Sequence, residues 1–293
     1  MKNIIFFICI VLGMNLEGAS FLQLDRKCNH GDMPSCFQLG MLFESGETVR
    51  LDFAEARHYF ERACSAGHMK ACISLGDMYE RELGVEKNLA KARTLYEKAC
   101  RGGDGEGCYC IGRLEENDHH IHKALERYDQ ACRKKFAIAC SDLGVMYDFG
   151  RTVKKNAALA YKYYSAACKL DNINCSWLGN AYENAKLGVE QDDAKARYYY
   201  EKACKGNSAE GCYKLGNFYY YGKKVRQSYR KAALYYRKAC RMGGFGTAEG
   251  CNNLGVLYRR GRGVKKDQRR AVKYYKKACS LGYVSACRYM HGK

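Results

Sequence analysis

An all-α solenoid of short helix pairs, with a disulfide at every connection between pairs, is the fold class this sequence predicts. Three observations carry it. Cysteines recur in pairs with a period in the thirties, a leucine–glycine signature follows most pairs, and a single proline, Pro34, occurs in 293 residues. A period of that length marks a repeat architecture in which each unit buries its apolar face against its neighbours. The near absence of proline suits a chain that is helical almost throughout.

The first element is a leader. "MKNIIFFICIVLGMNLEGAS" has Lys2, an apolar run from Ile4 to about Met14, and the small residues Gly18, Ala19 and Ser20. Eleven apolar residues are too few to span a bilayer, and the pattern is that of a secretory signal peptide over 1–20, leaving 21–293 as the mature chain. Cys9 leaves with the leader, and no second membrane span is found. The expected destination is the periplasm or the exterior, where paired cysteines oxidise.

The cysteine pairs come next. They are Cys28/Cys36, Cys64/Cys72, Cys100/Cys108, Cys132/Cys140, Cys168/Cys175, Cys204/Cys212, Cys240/Cys251 and Cys279/Cys287, with first members spaced by 36, 36, 32, 36, 36, 36 and 39 residues. Structural zinc sites bring sulfurs together across two to four residues. A C-x7-C spacing without a recurring histidine pair reads as a disulfide. The first cysteine of each pair is expected to end one helix and the second to begin the next, so that the bridge clamps the connection. Sixteen of the 18 cysteines are so used, leaving Cys9 and Cys110. Cys110 follows Cys108 by two residues, which on a helix turns it from the bridging face. It is either a buried small hydrophobe, a cross-link between chains, or a competitor of Cys108 for Cys100.

Two helices follow each pair. The first carries L-G-x-x-Y, as in Leu75-Gly76 to Tyr79, Leu143-Gly144 to Tyr147, Leu178-Gly179 to Tyr182, Leu215-Gly216 to Tyr219 and Leu254-Gly255 to Tyr258. Glycine inside a helix costs about 1 kcal/mol against alanine, so its recurrence predicts a close approach there. A turn follows at Gly84-Val85, Gly188-Val189 or Gly263-Val264, then a capping residue (Asp52, Asn88, Asn156, Asp192, Ser228, Asp267). An alanine four residues on opens the second helix, which carries Tyr163-Tyr164, Tyr199-Tyr200, Tyr235-Tyr236 or Tyr274-Tyr275 and ends at "KAC" or a variant.

A-C-x-x-L-G-x-x-Y, G-x-G-V and K-A-x-x-Y-Y-x-K-A-C together resemble the Sel-one-like repeats (SLR), relatives of the tetratricopeptide repeat. With a leader and a C-x7-C-type pair in each unit, the 240–251 connection being three residues longer, the chain is similar to the secreted Helicobacter cysteine-rich proteins over about 21–293, as seven repeats and a terminal half-repeat. The third unit departs most: "CYCIGRLEENDHHIHKALERYDQAC" is four residues short and lacks the G-x-G-V turn. The resemblance implies a right-handed superhelical solenoid, and proteins that engage a host and bind and weakly hydrolyse penicillin-like molecules. A serine β-lactamase needs S-x-x-K with S-D-N and K-T-G. The chain offers only "SYRK", Ser228 to Lys231, whose serine fills the capping slot. H-x-H-x-D, the zinc alternative, is not met by His120-Ile121-His122. No catalytic residue and no cofactor are assigned.

Binding candidates remain. By analogy with tetratricopeptide repeats, the inward positions include Ile73, Asp77, Tyr109, Arg113, Ser176, Asn180, Tyr213, Asn217 and Asn252. Asn180 and Asn217 hold equivalent places, suited to a peptide backbone or an amide-bearing sugar. The expected partner is an extended peptide, a cell-wall fragment or a host protein. His119, His120 and His122 form a cluster that could hold zinc, nickel or copper, against the simpler reading of an exposed polar loop. Charge is uneven. The net is +19, and from Tyr221 onward 20 Lys and Arg face two acids. Arg259, Arg260, Arg262, Lys265, Lys266, Arg269 and Arg270 form the densest run. Either this is a solvated face, or it draws an anionic polymer by long-range attraction. Nucleic acid would be in the wrong compartment.

Overall fold

The computed structural model describes residues 16–150 and 152–289, in two compact units that divide after Phe136. The apolar leader and Cys9 lie outside the described residues.

The first unit holds α1 (Leu16–Asn29), α2 (Met33–Ser45), α3 (Phe53–Ser65), α4 (Met69–Arg81), α5 (Leu89–Arg101), α6 (Gly105–Asn117) and α7 (Ile121–Arg133). The second holds α8 (Ala137–Phe149), α9 (Ala157–Leu170), a 3-10 turn (Asn172–Asn174), α10 (Cys175–Glu183), α11 (Asp193–Lys205), α12 (Ala209–Tyr221), α13 (Tyr229–Arg241), α14 (Thr247–Arg260), α15 (Gln268–Ser280) and the short α16 (Val284–Cys287). Within each unit every helix packs on the next in sequence. The pairs are α2/α3, α4/α5 and α6/α7 in the first unit, and α8/α9, α10/α11, α12/α13 and α14/α15 in the second. The expected leader ends at Ser20, whereas α1 runs through that point. No helix among the described residues is long and apolar enough to cross a membrane.

The caps fall where expected. Asp52, Asn88, Asn156, Asp192, Ser228 and Asp267 each accept a backbone N–H of the second helix's first turn. The alanines four residues on (Ala56, Ala92, Ala160, Ala196, Ala232, Ala271) sit one turn inside the helix rather than opening it. All are fully buried.

The recurring glycine has a specific reason. A Cβ added at Gly40, Gly76, Gly112, Gly144, Gly179, Gly216 or Gly255 would come within 2.4 to 2.9 Å of a ring on the second helix of the same pair. Those rings are Phe60, Tyr96, Tyr128, Tyr164, Tyr200, Tyr236 and Tyr275, and all are buried. A second aromatic pair stacks face to face one turn away: Phe43–Tyr59, Tyr147–Tyr163, Tyr182–Tyr199, Tyr219–Tyr235 and Tyr258–Tyr274, with centroids 5.6 to 5.9 Å apart.

The connections are equally regular. Disulfides join Cys28 to Cys36, Cys64 to Cys72, Cys100 to Cys108, Cys168 to Cys175, Cys204 to Cys212, Cys240 to Cys251 and Cys279 to Cys287, with Cα atoms 4.5 to 5.0 Å apart. Cys132 and Cys140 are also disulfide-bonded. The placement of the second cysteine corrects the expectation that it begins a helix, which Cys175 alone does. Cys36, Cys72, Cys108, Cys140 and Cys212 are each the fourth residue of their helices, and Cys251 is the fifth. The start of each helix is given to its cap, and a residue one turn further on faces back toward the helix before. The sulfurs of Cys36, Cys72 and Cys251 accordingly lie 3.6, 3.6 and 3.5 Å from the carbonyl oxygens of Cys28, Cys64 and Cys240. All three are fully buried, so these bridges belong to the core and not to an exposed loop.

Three residues after the first cysteine the backbone turns left-handed, at Gly31, Gly67, Gly103, Lys135, Asn207 and Gly282. That conformation ends one helix, and the next residue caps the following one at Asp32, His68, Asp104 and Ser208. A basic residue two before the first cysteine closes the clasp. Arg62 donates to the Cys28 carbonyl (2.8 Å), Lys98 to Cys64 (2.6 Å), Lys238 to Cys204 (2.7 Å) and Lys277 to Cys240 (2.7 Å). Each cation thus meets the negative end of the corresponding helix one repeat earlier.

Candidate functional site

The sequence-predicted inward residues lie on the first helix of each pair. In the first unit Asp77 holds Arg81 at 3.0 Å. Arg113 on α6 reaches Glu80 Oε1 on α4 at 2.5 Å, while the Tyr96 hydroxyl donates to Glu80 Oε2 at 2.7 Å. Two successive first helices are therefore joined through one carboxylate. Ile73 is buried. The Tyr109 ring packs on Tyr128 and Phe136, with centroids 5.3 and 5.1 Å away.

The second unit repeats the device with other residues. Glu183 Oε2 on α10 accepts from Tyr200 (2.8 Å) and from Lys214 of α12 (2.9 Å), and Lys223 lies 3.5 Å from Oε1. Burial pushes the Glu183 carboxyl up, but the hydrogen bonds from Lys214 and Tyr200 and the nearby Lys223 outweigh it and hold it below the usual range. Asn217 Oδ1 accepts from Tyr236 (2.7 Å) and from Asn253 Nδ2 of α14 (3.4 Å). Asn252 donates to Asn253 at 3.1 Å. Asn180 stands beside the Tyr200 hydroxyl, and the Tyr213 ring lies 6.3 Å from that of Tyr236. Ser176 is buried and bonds the Glu210 carboxyl, which burial raises. Asn180 and Asn217 are thus equivalent in a stronger sense than their spacing alone implies: each meets the buried tyrosine of its own pair. They are anchored rather than free-standing amides.

The basic run divides. Arg259 lies 4.5 Å over the Tyr289 ring, Arg262 lies 5.3 Å over Tyr229, and Arg270 lies 5.7 Å over Tyr258 while pairing with Asp267 at 3.2 Å. Arg260, Lys265, Lys266 and Arg269 are exposed and make no ion pair among the described residues. In "SYRK", Ser228 Oγ accepts the Lys231 backbone N–H at 3.3 Å. The Lys231 ammonium is drawn instead over the Tyr219 ring, 5.0 Å from its centroid. Lys91 and Lys195 sit over Tyr79 and Tyr182 in the same way, so this serine and lysine are ordinary members of the repeat.

The histidines do not converge. His120 faces Glu115 at 3.1 Å and His122 faces Glu126 at 3.3 Å. Glu115, Asp118 and His120 do bring one ligand atom each within 4.8 Å of one another. Arg93 already pairs with Glu115 and lies 3.1 Å from Asp118. A guanidinium fills the place a metal ion would take, so the set does not fit one.

The Sel1 repeat pattern matches residues 34–68, 70–104, 137–172, 175–208, 209–244 and 248–283. The chain belongs to the Sel1 repeat family. The stretch the pattern skips contains the shortened third pair, yet there Gly112 still faces the Tyr128 ring, so the Sel1 packing outlasts its consensus. Among solved structures, a Sel1 repeat protein from Oxalobacter formigenes is 25% identical, with TM-score 0.72 over 96% of this chain and 83% of that one. A protective antigen of uropathogenic Escherichia coli with an SLR fold is also 25% identical, with TM-score 0.67 over 94% of this chain. This chain spans 59% of the antigen's length. Helicobacter pylori cysteine rich protein B is 42% identical across 47% of this chain and 97% of that one, with TM-score 0.36. No curated protein sequence matches. In this Sel1 repeat chain Cys110 is the free cysteine among the described residues, and burial pushes its thiol up to about 12.

Proposed function

We propose that this Sel1 repeat protein is an exported binding scaffold that holds an extended peptide, from a host protein or a cell-wall fragment, along its first helices. The observation that carries the reading is the ladder of side-chain bonds between successive first helices: Arg113 to Glu80, Lys214 to Glu183, and Asn253 to Asn217. Each rung fixes half-buried polar groups in one geometry, so a ligand need not order them on binding. Repeat scaffolds with such rows serve extended partners. Export is supported by the disulfides, which a reducing cytosol would not keep.

The test is selection of linear peptides by display against the oxidised protein, then affinity measurement on Asn180→Ala and Lys214→Ala. The expected outcome is a loss of about tenfold, or ~1.4 kcal/mol, with melting temperature retained in at least one variant. Failure to enrich any peptide, or unchanged affinity in both variants, would sink the reading.

A further inference from the structure

A second surface lies on the edge where the turns within the last two pairs emerge, at the C-terminal ends of α12 and α14. We propose that this edge binds a linear anionic polysaccharide. The two turns are Gly222–Gln227 between α12 and α13, and Gly261–Lys266 between α14 and α15. The second packs on the helix into which the first leads: a Cβ on Gly263 would meet the Tyr229 carbonyl carbon at 2.2 Å and the Arg230 nitrogen at 2.5 Å. The second turn therefore lies on the start of α13. Lys223, Lys224, Arg226 and Arg230 from one side join Arg260, Arg262, Lys265 and Lys266 from the other, and all eight are exposed.

One carboxylate, Glu183, reaches one of the eight, Lys223. Asp267, the only acid adjoining either turn, caps α15 and pairs with Arg270. Lys223 lies 3.5 Å from Glu183, and the others make no ion pair among the described residues. The edge differs from the run legible in the sequence. Arg259 and Arg270 drop out, because Tyr289, Tyr258 and Asp267 hold them, and Arg269 lies beyond the turn, on α15. Lys223, Lys224 and Arg226 of the preceding turn and Arg230 of α13 come in.

Between the two turns stands a group of tyrosines. The Tyr220 ring lies 4.9 Å from Tyr221 and 5.3 Å from Tyr229. Arg262 lies over Tyr229 and 3.5 Å from the Tyr220 hydroxyl. Tyr221 is 65% exposed, unusual for a ring in this chain. Guanidinium forks match the planar oxygens of sulfate and carboxylate, and an open ring face accepts the C–H face of a sugar. The other exposed residues of the turns are glycine, lysine, arginine and glutamine, with no Trp, Phe or Leu to enter a lipid interface. A nucleic acid would suit rings and charge equally, but the disulfides belong to a compartment where polysaccharide is the available polymer.

The test uses the full oxidised chain on immobilised heparin, with single-stranded DNA and phosphatidylserine vesicles as competitors. One variant carries Lys224→Glu, Arg226→Glu, Lys265→Glu and Lys266→Glu. A control of equal charge carries Arg241→Glu, Lys273→Glu, Lys276→Glu and Arg288→Glu, exposed or half-exposed sites outside the two turns. The edge variant is expected to elute at roughly half the salt of the wild type, the control well above it, because each lost contact removes a released counterion. Tyr221→Ala should weaken heparin binding while leaving polyphosphate binding unchanged. Equal elution of both charge variants, no heparin retention, indifference to Tyr221→Ala, or stronger competition by DNA or vesicles would each overturn the proposal.

Discussion

At Gly216 an added methyl would lie 2.6 Å from the Tyr236 ring, which is 1% exposed and has nowhere to go. Helix propensity alone would make Gly216→Ala stabilising by about 1 kcal/mol. Overpacking costs about 1–3 kcal/mol, so we expect a net loss in urea unfolding, shrinking when Tyr236→Ala is made in the same chain. A stabilised single variant would contradict the packing. Glu44 gives a second prediction. Burial raises its carboxyl, the Asp77 charge adds to this, and Arg81 offsets part of it. The folded state then holds the proton more tightly than the unfolded one, and stability from this group falls as pH rises through the ordinary carboxylate range. Glu44→Gln should raise Tm at pH 7 and leave it unchanged near pH 4. The glycine itself is legible as a close approach because it breaks a helical pattern at a fixed place. The ring that fills the gap lies 16 to 21 residues away, a distance at which helix pitch, not spacing, decides who meets whom.

At the scale of one connection, three devices coincide: a left-handed residue, a disulfide and a cation on the helix end. The loop-entropy view gives about 2.5 kcal/mol for a ring of about nine residues. Replacing both Cys204 and Cys212 by serine should cost near that, read by denaturant unfolding. Hydrogen exchange should quicken first in α11 and α12, since each pair contacts only its neighbours. The bridges and caps are readable because both depend on local spacing. That Cys36, Cys72 and Cys251 sit a turn inside their helices is not, because the caps ahead of them (Asp32, His68 and the left-handed Gly246) show no shared residue type. The basic clasp also escapes a local reading, although its signal recurs at Arg62, Lys98, Lys238 and Lys277, two before Cys64, Cys100, Cys240 and Cys279. Its acceptor lies about one repeat back. Ser228 belongs to this scale too. Ser228→Ala should lose about 1 kcal/mol as a cap, and mass spectrometry of the wild type with penicillin should find no adduct on Ser228.

Across the whole molecule, the repeat period and the charge imbalance are plain in the sequence, while the surfaces are not. Spacing pairs Asn180 with Asn217 as equivalents, but their tyrosine partners come from second helices whose placement only packing fixes. The basic run is legible as a run, whereas its useful part is assembled from two turns a repeat apart. One buried atom bears on how such a chain is made. Cys110 lies ten residues from Cys100 and Cys108 lies eight. In a disordered chain the two ring closures differ by only roughly 0.2 kcal/mol, so oxidation before folding would yield both in comparable amounts. Once α6 has wound, Cys110 is buried with its thiol firmly protonated, and the thiolate that could reshuffle the bond is gone. Oxidising the reduced chain in denaturant should therefore give a mixture at Cys100, and oxidising it after folding a single product, separable by peptide mapping. Wherever this chain is oxidised, either its helices must form first or a catalyst must repair the wrong half.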